Sequence, residues 1–157
     1  EAFKQIEDPR LKLIVMGYGP LQEYVIESIK DASNIFYLPA VEPGMVHEYV
    51  VSADFGVQFI ENVCLSYYYS LPNKFFECLM AEVPVVVLPM YEMSRLVNQY
   101  FIGIVANGFS LYDIIQALQR TYDFDHEKFH INIKKFNMKY NWEMQEVKLL
   151  NVYKNLA

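Results

Sequence analysis

The sequence predicts an α/β fold, a doubly wound, Rossmann-like parallel sheet in a single domain. Three observations carry that expectation. Short apolar runs alternate with amphipathic helical stretches along nearly the whole chain, the pattern of strands joined by crossover helices. The stretch Pro84 to Leu88 contains Val85-Val86-Val87, the unbroken β-branched run of a central parallel strand buried on both faces. The first apolar run, Leu11 to Met16, opens into Gly17-Tyr18-Gly19-Pro20, a tight strand-to-helix turn.

The elements follow in order. The opening Glu1-Ala2-Phe3-Lys4-Gln5 reads as the end of a helix whose beginning lies upstream. After the glycine turn, Leu21, Val25 and Ile29 recur at helical spacing while Glu23, Glu27 and Lys30 face away. Ile35 to Leu38 is a second strand, Pro39 to Gly44 a loop, and Val46, Tyr49 and Val50 mark a helix. Phe55 to Ile60 is a third strand, and Glu61 to Leu71 an irregular stretch. Asn73 to Ala81 is a helix whose Phe75, Phe76, Leu79 and Met80 are expected in the core. A short helix near Met93 to Asn98 precedes an edge strand at Ile102 to Val105. Ser110 caps a helix carrying Leu111, Ile114, Ile115 and Leu118, and Asn141 caps a last one carrying Val147, Leu149, Leu150 and Tyr153.

Composition narrows the function. At 157 residues the chain can bury one full core. Its 54% hydrophobic and 20% charged content is that of a globular protein. A net charge of −6 argues against a nucleic-acid partner, which requires a positive stripe. Cys64 and Cys78 lack metal-ligand spacing and read as buried, reduced thiols of a cytoplasmic protein. No apolar run approaches the ~20 residues that span a bilayer. The 13 Tyr and 11 Phe, including the run Tyr67-Tyr68-Tyr69, are expected mainly to pack.

Ligands of open parallel sheets bind at the carboxyl ends of the strands, and three loops lie there. Gly17-Tyr18-Gly19-Pro20 is either a tight turn or a surface where free amides meet a ligand. A nicotinamide dinucleotide is not expected, because Gln22 stands where its fingerprint has a third glycine and the second strand ends in Leu38-Pro39 with no acid. His47, behind the second loop, reads as a surface or packed residue rather than a catalyst. The third loop, Ser70-Leu71-Pro72-Asn73-Lys74, opens a helix that Ser70 or Asn73 can cap. Lys74 opposes the helix dipole there, a placement that makes sense if an anion docks on the same helix end. Glu77 shares a face with Lys74, so it either accepts hydrogen bonds from sugar hydroxyls or forms a plain surface pair.

The run from Ser70 to Ala81, followed by Val83-Pro84-Val85-Val86, resembles the signature of the group 1 nucleotide-sugar glycosyltransferases of the GT-B fold. Leu13 to Pro20, Phe36 to Val41, Ser52 to Val57 and Trp142 are similar to other landmarks of that family, in the same order. The resemblance implies that residues 1–157 form a single C-terminal, nucleotide-sugar-binding domain, a fragment without the upstream strand and the N-terminal acceptor domain. It implies that Glu77 binds the donor ribose and that Ser70, Leu71, Pro72, Asn73 and Lys74 meet the diphosphate and sugar. Val41 would lie against the base, with Gly17, Tyr18 and Gly19 lining the cleft.

Tyr69 stands where many members have a glutamate, so its contact with the donor sugar differs. The family's arginine–lysine pair for the diphosphate falls upstream of Glu1. No catalytic residue is assigned. The resemblance implies a glycosyl donor as substrate, a glycan or lipid-linked acceptor, no obligatory metal and no other cofactor. It places the domain in the cytoplasm and is compatible with peripheral association of the parent protein with the inner face of the membrane. No metal-ligand cluster stands out in the sequence. A nucleotide-sugar epimerase of the same architecture and a non-catalytic α/β interaction module remain as alternatives.

Overall fold

The computed structural model describes residues 1–156. Its strands are all parallel and are flanked by helices, as expected. β1 (Leu13–Met16) leads through α1 (Gln22–Ser28) to β2 (Ile35–Leu38), then α2 (Val46–Val50) and β3 (Gly56–Gln58). α3 (Leu65–Tyr68) and α4 (Asn73–Met80) precede β4 (Val85–Val87), and α5 (Tyr91–Tyr100) precedes β5 (Gly103–Val105). α6 (Leu111–Gln119), α7 (His126–Lys139) and α8 (Trp142–Lys154) complete the chain.

The ladder divides where one continuous sheet was expected. β1 pairs β2 from Leu13↔Ile35 to Met16↔Leu38, while β3, β4 and β5 form a separate sheet in that order. Val57 and Phe59 pack in the same apolar cluster as Leu13 and Val15, and also border the larger core. The two sheets therefore meet through side chains instead of backbone bonds.

Val85, Val86 and Val87 are fully buried against Phe75 and Leu79 of α4, Met93 and Leu96 of α5, and Phe129 and Ile133 of α7. Each such side chain contributes about 1.5–3 kcal/mol. α4 lies close on β3 because residue 56 is glycine: a Cβ there would collide with the Cys78 sulfur. Ser110 forms a reciprocal capping box with Asp113, and the Asn141 side chain accepts from the Met144 amide at 2.8 Å, so both expected caps are present.

Several expectations need correction. Glu1 to Gln5 is not the end of an α-helix but a 3-10 turn, Phe3–Gln5, pinned by Asn34, whose side chain donates to the carbonyls of Phe3 and Ile6. The third strand is shorter than expected, and the irregular stretch contains one helical turn, α3. α5 is longer than its apolar positions implied. Leu21 is exposed, leaving Val25 and Ile29 half-buried as the inward face of α1. Cys64 is exposed; only Cys78 is buried. Among the described residues no helix is long and apolar enough to cross a membrane.

Candidate functional site

The glycine turn is built by the end of β1. Gly17 has φ +144°, a conformation that side-chain-bearing residues rarely adopt. Its amide donates to the Leu38 carbonyl at 3.2 Å, and its carbonyl accepts from the Tyr37 hydroxyl at 2.6 Å. Both bonds latch the turn to β2. The facing wall is the start of α4. Neither Ser70 nor Asn73 caps that helix: Pro72 is the capping residue and offers no side-chain bond, while the Ser70 hydroxyl donates to the Tyr67 carbonyl. Among the described residues no side chain caps α4: the Phe75 amide donates to the Pro72 carbonyl at 3.0 Å, and the amides of Asn73 and Lys74, in the first turn, lack an intrahelical acceptor.

Between the two walls lies a cavity of about 800 Å³. Of the residues singled out from the sequence, Gly17, Tyr18, Val41, Asn73, Lys74 and Glu77 line it. Gly19, Tyr69, Ser70, Leu71 and Pro72 do not. Tyr69 is half-exposed, with its ring edge-on to Tyr68 and to Tyr91 at 5.1 and 5.2 Å. Met16, Phe76 and Met80 supply apolar lining that the sequence reading missed. Met80, expected in the core, is exposed and turned to this cavity. The Lys74 ammonium donates to the Glu77 carboxylate at 2.8 Å, so cation and carboxylate enter the cavity as a pair. Behind them, burial pushes the Cys78 thiol above its usual range, and a weak bond from Gln58 offsets part of that rise. Cys78 is a packing residue, not a nucleophile.

His47 is not isolated. It lines this cavity and also a second groove of about 560 Å³, where it meets Asp54, Glu82, His126 and His130. The groove gathers all three histidines of the chain. The spacing of His126 and His130, one helical turn apart, was the sequence signal available for it.

No family model matches the chain, and no curated protein sequence matches it. Among solved structures it is similar to WaaG, a glycosyltransferase involved in lipopolysaccharide biosynthesis, with a TM-score of 0.56 at 15% identity. The match covers 82% of this chain and 33% of that one, so the chain spans about a third of the neighbour's length. At that identity the likeness is one of fold: the Rossmann-like α/β half of a GT-B architecture.

Proposed function

We propose that the chain binds a nucleoside-diphosphate sugar as the C-terminal half of a glycosyltransferase. The supporting observation is the convergence on one cavity of the glycine turn after β1, Val41 after β2 and the uncapped start of α4 with Lys74 and Glu77. In this reading Val41 and the neighbouring apolar lining lie against the base. Glu77 accepts hydrogen bonds from the ribose hydroxyls. Lys74 and the first amides of α4 receive the diphosphate, as helix N-termini receive anions. Gly17 and Tyr18 let the backbone approach along the cleft, and Gly19, off the cavity, continues the turn. Tyr69, Ser70, Leu71 and Pro72 act indirectly, by delivering the chain to the helix start.

During transfer the bond from the anomeric carbon to the diphosphate oxygen breaks, the electron pair leaving with the diphosphate, as a bond to an acceptor hydroxyl oxygen forms and its proton is released to solvent. The charge growing on the diphosphate oxygen is stabilised by Lys74 and the helix-end amides, so the reading requires no metal at this site. The acceptor, a glycan or lipid-linked intermediate, docks on the other half of the parent protein. The neighbour's part in lipopolysaccharide biosynthesis supports that acceptor class, and such an acceptor would bring the parent protein to the cytoplasmic face of a membrane.

The closed Lys74–Glu77 pair favours one competing reading, a non-catalytic module whose exposed ion pair contributes about 0–1 kcal/mol to stability. Thermal unfolding with a panel of nucleoside diphosphates separates the two. A donor-binding domain gains stability as ligand rises, by mass action, whereas the module is unmoved.

A further inference from the structure

We infer that the second groove is a binding site for a divalent transition-metal ion, held by His126 and His130 with Glu82 as third ligand. Asp125 caps α7 by accepting from the Lys128 amide at 2.9 Å, which orders the first turn from His126 onward. Two histidines four residues apart on a helix share a face and can present their imidazoles to one ion. The order His126-Glu127-Lys128-Phe129-His130 has the spacing of zinc-binding helices. Packing positions the His126 ring, edge-on to Phe55 and Phe124 at 5.6 and 5.1 Å, while the more exposed His130 lies beside Phe129.

The carboxylate comes from a different element. Glu82, in the turn between α4 and β4, stands with its Oε2 3.9 Å from the Nδ1 of His130. The turn holds it at φ +56°, a left-handed conformation that a glutamate rarely adopts. Bonds from the Glu82 amide to Leu79 and from the Val83 amide to Cys78 maintain it. Among the described residues no three ligating side chains already stand in metal-holding geometry. The site is therefore completed by rotation of the His130 and Glu82 side chains, which are 58% and 47% exposed and free to turn without disturbing the core. Imidazole and carboxylate donors together suit zinc, nickel or copper better than magnesium or calcium. The inference stands apart from the donor reading, since none of its three ligands lines the larger cavity.

The test is calorimetric titration of zinc into the untagged protein and its His126→Gln, His130→Gln and His47→Gln variants, with the melting temperature of each metal-free variant confirming its fold. Losing even a supporting partner of a ligating histidine costs roughly ten- to a hundred-fold in affinity, so loss of a ligand costs at least that. The expected result is zinc binding by the wild type, weakened about tenfold or more in His126→Gln and His130→Gln and unchanged in His47→Gln. If His126→Gln fails to fold through lost packing on Phe55, the exposed His130→Gln decides alone. A wild type that takes up no zinc, an unchanged affinity in His130→Gln, or an equal loss in His47→Gln overturns the assignment.

Discussion

The Tyr37 hydroxyl donates to the Gly17 carbonyl across 2.6 Å, tying the turn after β1 to the neighbouring strand at the rim of the larger cavity. Tyr37→Phe removes that bond and leaves the ring. Its expected cost is about 1 kcal/mol of stability, the usual net value of one hydrogen bond. Chemical denaturation checks it, and a nucleoside diphosphate should bind Tyr37→Phe more weakly, because the wall that meets it is less ordered.

Gly17 and Gly19 separate two kinds of glycine. A Cβ meets nothing within 4 Å at either position, but only Gly17 has a positive φ. Gly17→Ala is expected to lose about 1–3 kcal/mol through backbone strain alone. Gly19→Ala should be neutral or slightly stabilising through the unfolded state. Paired melting curves show the contrast.

At Gly56 the limitation is space. Alanine there drives its Cβ into the Cys78 sulfur, and overpacking of this kind costs about 1–3 kcal/mol. Cys78→Ala removes the sulfur and leaves only its Cβ, at 3.1 Å, to be accommodated. A double-mutant cycle on denaturant midpoints should therefore show positive coupling, with Gly56→Ala less harmful in the Cys78→Ala background.

Tyr69→Glu probes the tyrosine that the sequence reading placed beside the donor. The ring is half-exposed and lies edge-on to Tyr68 and Tyr91. The change should cost about 0.5–1.5 kcal/mol of aromatic contact, well short of what a buried carboxylate would cost. Because Tyr69 does not line the cavity, nucleoside-diphosphate affinity should be unaffected in a calorimetric titration.

What the sequence made legible was local. Val85 to Val87 announced a central strand because β-branched runs need burial on both faces, and Ser110 and Asn141 announced helix starts because their capping bonds span only three residues. The glycine turn and the start of α4 were legible as candidates because each is defined by its own few residues. Their meeting in one cavity is tertiary. So is the outward turn of Met80, whose apolar side chain gives no sign of which surface it covers. Pro72 displaced the expected caps because Ser70 spends its hydroxyl on the preceding turn, α3, which no periodicity foretold. His47 is far in sequence from the neighbouring His126 and His130, and only folding brings it to their groove.

The central claim rests on Lys74 and Glu77, and isothermal titration of a nucleoside diphosphate into the wild type, Glu77→Gln and Lys74→Ala tests it most directly. The account predicts that Glu77→Gln weakens binding by roughly 1–2 kcal/mol, about a decade in affinity, as charged acceptors to two hydroxyls are lost. Lys74→Ala should weaken it too, by an amount that shrinks at high salt. With the 2′,3′-dideoxy analogue the Glu77→Gln effect should vanish while the Lys74→Ala effect persists. A wild type that binds while both variants bind equally well, or one that binds no nucleoside diphosphate, would contradict the account.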